Sequence, residues 1–193
     1  MDTILSVAEK PSVAKELARI ISRNTHCPSR AGYSPYNKIF DIDNCQFKRN
    51  QAKMKMTSVT GHLMELEFDQ AYKGWTNCPP VDLFTAPIIK GVKKENDNIK
   101  RTLQDEARKC NILMLWLDCD LEGENIAYEV IQVCLEANPR LDIYRAKFSA
   151  LIDRDIIRTM TFPDRPNPHF NDAVEARQEI DLVCFRSSLS CCS

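Results

Sequence analysis

Two short segments of the chain carry side chains able to act together on a phosphate ester. Glu9 and Lys10 follow the apolar run Ile4–Ala8, and Asp118, Asp120 and Glu122 follow the apolar run Cys110–Leu117. In an extended segment residues i and i+2 point the same way, so Asp118 and Asp120 project together, and Glu122 can swing in from the mouth of a following helix. Two carboxylates about 4 Å apart repel by about 4 kcal/mol at an effective dielectric of about 20. Three stay ionised side by side only if a cation joins them or a proton is taken up. All are hard oxygen donors, so Mg2+ is the natural occupant and metal-assisted phosphoryl chemistry the natural reaction class. The plainer reading is that acids at a helix N-terminus merely complement its dipole, for about 0.3–1 kcal/mol each. The segment alone leaves both open.

Placing these groups requires strands that end in loops leading into helices, where open α/β sheets keep their functional residues. Ile4–Ala8 reads as a buried strand. Pro11 suits the first turn of a helix carrying Val13, Ala14, Leu17, Ala18, Ile20 and Ile21 at helical spacing. Residues 24–35 read as a loop. Tyr36–Asp41 and Met54–Thr60 read as strands joined through a polar stretch at 44–50, and residues 76–94 as irregular. A helix follows through Ile99, Leu103 and Ala107. Cys110–Leu117 reads as a two-sided buried parallel strand, and then comes a helix through Ile126 and Val130. Asp142–Phe148 reads as a strand, Leu151–Thr161 and Asn171–Leu182 as helices, and 183–193 as an irregular Ser/Cys tail without periodicity. Alternating strands and helices predict an α/β fold with a mostly parallel central sheet flanked by helices.

Composition agrees with a folded domain. The 193 residues include 26 Lys+Arg and 27 Asp+Glu, a net charge of -1, with 44% hydrophobic residues, 5 Gly and 10 Pro, which excludes disordered and collagen-like chains. No apolar run reaches the roughly 20 residues of a membrane span, and charged residues in 1–10 argue against a signal peptide. Nine cysteines, an odd number with no C-x-x-C pair among Cys27, Cys45, Cys78, Cys110, Cys119 and Cys134, predict reduced thiols used as small apolar side chains. Trp75 and Trp116 are expected in the core. Positive charge gathers in residues 1–60 and negative charge in 61–193, so a basic face toward phosphates is open, as is ordinary surface variation. A phosphatase with its nucleophilic Asp after the first strand fits poorly, because Glu9 stands there.

Several blocks together resemble the Toprim domain of type IA DNA topoisomerases, closest to the alpha-like eukaryotic topoisomerase III branch. They are Ser6-Val-Ala-Glu-Lys-Pro-Ser12, Thr57-Ser-Val-Thr-Gly-His-Leu63, Asp118-Cys-Asp-Leu-Glu-Gly-Glu-Asn125, Arg145-Ala-Lys-Phe-Ser149 and Ala176-Arg-Gln-Glu-Ile-Asp-Leu182. The resemblance implies a Toprim domain, Rossmann-like in kind, over 1–160, the start of the next topoisomerase domain over 161–182, cut short, and the tail over 183–193. It also implies roles. Glu9 assists proton transfer to the leaving 3′ hydroxyl beside the metal, and Lys10 stabilises phosphate charge. Asp118, Asp120 and Glu122 hold Mg2+, while Lys10, Arg177 and Asp181 lie on the DNA path. It further implies a nuclear enzyme that cuts, passes and rejoins single-stranded DNA, with a RecQ-type helicase and an OB-fold accessory protein as partners.

Two departures qualify the likeness. Leu121 stands where most relatives carry Arg or Lys, which removes a phosphate contact. The sequence after Leu182 lacks the family's Arg-x-Gly continuation, and none of Tyr33, Tyr36, Tyr72, Tyr128 and Tyr144 resembles the attacking tyrosine, so strand cleavage by the chain alone is not expected. A stand-alone Toprim nuclease or primase-like enzyme, and an inactive fragment that binds DNA or a partner, remain the other readings. His62 is expected to be a structural hydrogen-bonder rather than a catalyst.

Overall fold

The computed structural model describes residues 1–23, 27–72 and 79–191; Trp75 and Cys78 lie outside them. The first strand, β1 (Asp2–Ala8), enters helix α1 (Pro11–Ile21), which is followed by β2 (Ser29–Ala31), β3 (Lys38–Phe47) and β4 (Asn50–Ser58). Next come β5 (Met64–Phe68), a 3-10 helix at Pro80–Phe84, β6 (Ile88–Val92) and α2 (Asp97–Ala107). The chain then runs through β7 (Ile112–Trp116), α3 (Leu121–Ala137), β8 (Asp142–Arg145), α4 (Asp153–Thr161) and α5 (Pro168–Cys191).

The main sheet has the order β2-β3-β4-β1-β7-β8, and β5 and β6 form a separate two-stranded ribbon. Strands β4, β1, β7 and β8 are parallel neighbours, while β2 and β3 extend the sheet antiparallel. β1 and β7 are buried on both faces because period-two side chains feed two cores. Ile4, Ala8, Ile112, Met114 and Trp116 meet α1 and α4 on one side. Leu5, Val7, Leu113, Leu115 and Leu117 meet α2 and α3 on the other. Trp116 is fully buried, as the sequence predicts.

β1 lies between β4 and β7, and from it the chain winds first toward β4 and later toward β7. That reversal makes a topological switch point between β1 and β7, where loops part to opposite faces and leave a crevice. Ala8 pairs with Trp116 in the register, so the ends of both strands reach the same edge together.

Four local expectations are corrected. The polar stretch at 44–50 is not a connector: β3 and β4 run through it and turn on Lys48 and Arg49, with φ of 47° and 69°. Paired positive φ angles make the tight hairpin turn that suits strand twist, and the Lys48 amide, donating to the Met160 carbonyl at 3.0 Å, pins it. A bulge between Ile42 and Cys45 breaks the alternation that would have announced the strand. The loop at 24–35 contains β2, and the irregular 76–94 segment contains β6. The tail from 183 is helical to Cys191, as a continuation of α5, rather than irregular; backbone hydrogen bonding extends a helix already formed where residue pattern gives no cue.

Candidate active site at the carboxyl edge of the sheet

Glu9 is the first residue beyond β1, and its amide donates to the Trp116 carbonyl at 3.3 Å. Its carboxylate turns toward β7 and accepts from the Asp118 amide at 3.3 Å. Lys10, extended at the N-terminus of α1, places its ammonium 3.2 Å from the other Glu9 oxygen. Pro11 starts the helix with no amide hydrogen to satisfy, which fixes where Lys10 leaves the backbone.

The β7 side is held more rigidly. Asp120 caps α3, its Oδ1 accepting from the Gly123 amide at 2.7 Å. At Gly123 a Cβ would lie 2.1 Å from the Asp118 carbonyl oxygen, so only glycine lets the helix start this close to the strand end. Behind the loop sits Arg145, 1% exposed at the end of β8. It donates to the carbonyls of Leu117 at 2.9 Å and Asp118 at 2.7 Å, and pairs with Glu124 at 3.0 Å. The second Glu124 oxygen accepts from the Asn167 amide at 2.6 Å. A buried ion pair with its hydrogen bonds filled is the form in which burial of charge is tolerated.

Electrostatics follow from this crowding. Burial first, and then the repulsion of Glu9, holds the Asp118 carboxyl above its ordinary 3.8, with Lys10 opposing. The Lys10 ammonium is held above 10.5 by its hydrogen bond to Glu9 and by the negative field of Glu9, Asp118 and Asp120.

Glu122 departs from the expected arrangement. One oxygen lies 3.1 Å from Nε2 of His62, and the other is taken by the Arg177 guanidinium from α5. Nδ1 of His62 is bound in turn by buried Glu129 at 3.0 Å, and that hydrogen bond, against the cost of burial, holds the imidazole above its ordinary 6.5. Gly61, with φ of 87°, makes the bend that delivers His62 to this position. Among the described residues no three acidic, histidine or cysteine side chains enclose a space for a metal ion. The expected four-acid pocket is thus brought together at Glu9 and Asp118, with Asp120 near enough to act on both Asp118 and Lys10, while Glu122 is turned aside by His62 and Arg177. Arg177 reaches the cluster, and Asp181, one turn further along α5, is exposed.

The spacing of acids did not announce Arg145, Glu124 and Glu129, whose polar atoms converge only after folding. The one available signal was position: Arg145 and Glu124 lie within recognisable blocks, and Glu129 just beyond one. The basic residues of the 48–55 hairpin are engaged within the molecule. Lys48 lies over the Tyr144 ring at 3.8 Å and Arg49 over Phe162 at 5.8 Å, and Lys55 is 3.1 Å from Glu106.

Fold and site together define an α/β domain whose switch-point crevice carries a Glu-Lys pair against an acid-rich helix start. Residues 4–151 match the Toprim domain family, and the chain belongs to it. It is 54% identical over 180 residues to DNA topoisomerase 3-alpha of Arabidopsis thaliana, covering 93% of the chain and 19% of that protein. It is 49% identical over 179 residues to DNA topoisomerase 3 of Dictyostelium discoideum, covering 93% and 22% respectively. For DNA topoisomerase 3-alpha of Homo sapiens the identity is 40% over 179 residues, covering 93% and 18%. The chain spans about a fifth of the length of these curated relatives.

Proposed function

We propose that the chain supplies the Toprim part of a nuclear type IA DNA topoisomerase III, which breaks one DNA strand, passes another through and rejoins the first. The observation that carries this reading is the joining of two distant segments: the Glu9 carboxylate bound at the Asp118 amide with Lys10 alongside. The donor set suits a hard divalent cation, since Glu9, Asp118 and Asp120 present only oxygen, and burial together with the repulsion of Glu9 raises the Asp118 carboxyl. Asp118 and Asp120, with Glu9 beside them, would hold Mg2+, which would supply positive charge to offset the carboxylates and a bound phosphate.

The attacking tyrosine comes from outside the Toprim segment, forming a phosphotyrosine bond as the bond from phosphorus to the 3′ oxygen breaks. Lys10, held in place by Glu9, faces the phosphate and stabilises its growing negative charge. Glu9 assists proton transfer to the leaving 3′ oxygen, and the reverse transfer when the strand is resealed. Arg177 and Asp181 lie along the path of the single strand, and a RecQ-type helicase and an OB-fold protein are the proposed partners.

A chimera tests this. Residues 1–182 of this chain replace the matching segment of the Arabidopsis topoisomerase 3-alpha, and relaxation of negatively supercoiled plasmid is followed with Mg2+. Activity that Glu9→Gln and Lys10→Ala each reduce by at least about 100-fold is expected, the scale of losing a general acid or an oxyanion partner. Magnesium-dependent nicking by the chain alone points instead to a self-contained nuclease.

A further inference from the structure

Both carboxylate oxygens of Glu122 are occupied by groups that are not acids. His62 arrives from the turn after β4 and Arg177 from α5. Neither neighbour is loosely placed. His62 is anchored by Glu129, which also accepts from the Leu63 amide at 2.7 Å and the Met64 amide at 3.2 Å. α5 is fastened to α3 by Asn125 donating to Asn171 at 2.9 Å and by Gln178 donating to Asn125 at 3.4 Å, so Arg177 is presented to Glu122 by a docked helix. Glu122 itself is only partly covered, 41% exposed at its side chain, and Arg177 is 55% exposed. The pair is therefore open to exchange with solutes.

We propose that Arg177 and His62 are positioning residues for Glu122: they hold its carboxylate away from Glu9, Asp118 and Asp120, and a phosphodiester of single-stranded DNA that draws on Arg177 frees Glu122 to join the bound cation. The inference rests on the cation reading of the site given above. Arginine binds a phosphodiester and a carboxylate through the same forked donors, so the two compete directly. While Glu122 is paired to Arg177, the cation meets the remaining acids alone. Once a strand engages Arg177, one more oxygen donor turns toward the cation. Cation and strand thereby favour each other, and by linkage the coupling is the same in either direction.

The test is a double-mutant cycle on the full chain, with Mn2+ binding read by the loss of the free-ion electron-spin signal at fixed pH and ionic strength. The four proteins are the parent, Arg177→Ala, Glu122→Gln and the double variant, with thermal melting as the check that each is folded. Arg177→Ala is expected to tighten Mn2+ by about five-fold, the size typical of coupling between touching residues. In the Glu122→Gln background the same change is expected to alter affinity by less than about two-fold. An equal gain in both backgrounds reports only the removal of a positive charge and overturns the proposal, as does no gain. Failure of all four proteins to bind Mn2+ overturns the cation reading itself. A second arm without metal, in chelator, follows fluorescent oligothymidylate by anisotropy. Glu122→Gln is expected to tighten the oligonucleotide about five-fold and Arg177→Ala to abolish that gain. Persistence of the gain without Arg177 removes the phosphodiester from the proposal and overturns it.

Discussion

The guanidinium of Arg145 donates to the main-chain carbonyl of Asp118 at 2.7 Å. An almost fully buried cation on β8 thus fixes the backbone of the acid that follows β7. It also binds the carbonyl of Leu117, and its charge is met by Glu124, so its donors serve the loop and the ion pair at once.

Arg145→Met is expected to destabilise the chain by about 3–5 kcal/mol, because it leaves Glu124 charged and buried without its partner. Urea unfolding followed by circular dichroism measures this. Arg145→Met combined with Glu124→Gln should recover a good part of the loss, since no uncompensated charge then remains. A double variant no more stable than the single one would show that the carbonyl bonds, rather than the ion pair, carry the effect.

Glu106 is expected to contribute to the acid sensitivity of the fold. Burial raises its carboxyl, but hydrogen bonds from Arg30, Lys109 and Lys55 outweigh this and bring it from 4.5 down to about 2. A carboxyl depressed by folding contributes stability above its unfolded value, and that contribution disappears as pH falls through the folded one. The urea midpoint should therefore fall between pH 4.5 and about 2. Glu106→Gln should cost about 1–3 kcal/mol at neutral pH, less than a fully enclosed pair because Arg30 and Lys109 are partly exposed, and should flatten that fall. An unchanged acid profile in Glu106→Gln would assign the sensitivity to other carboxylates.

Gly123→Ala places a methyl group against the Asp118 carbonyl oxygen, 2.1 Å away before any adjustment. Main chain must move on one side or the other, at an expected cost of about 1–3 kcal/mol. Because the moving segment carries Asp118 and Asp120, Mn2+ binding should weaken along with the melting temperature. A loss of stability with cation affinity intact would mean that the helix start, not the loop, gives way.

Leu121 opens α3 and is 46% exposed between Asp120 and Glu122. Leu121→Arg is expected to strengthen single-stranded DNA binding and to steepen its dependence on salt by about one counterion, since one more phosphate is neutralised. Fluorescence anisotropy over a salt series measures both. An unchanged slope would show that a cation at this position does not reach the backbone.

The main elements of the sheet were legible because their burial is written into residue type. β7 is apolar throughout, and β1 is apolar from Ile4 to Ala8 apart from Ser6, as strands enclosed on both faces tend to be. The same reading lost the β3–β4 hairpin, where polar Asp43, Asn44 and Gln46 face solvent around a bulge and the turn uses Lys48 and Arg49 instead of glycine. It also lost the helical continuation of α5, whose Ser- and Cys-containing sequence carries no clear stripe.

By itself the sequence determined which acids and which lysine stand at strand ends, because chain order and apolar runs are local properties. Only the tertiary structure decided their company. Glu9 and Asp118 are separated by 109 positions and meet because β1 and β7 are neighbours in the sheet. Glu122, close in sequence to Asp118 and Asp120, is drawn elsewhere by His62 and Arg177, which approach from other elements. Spacing along a strand fixes which way a side chain can point. The charges that chain folding brings opposite it fix which way it does point, since hydrogen-bonded ion pairs outweigh the small preferences of a flexible glutamate side chain.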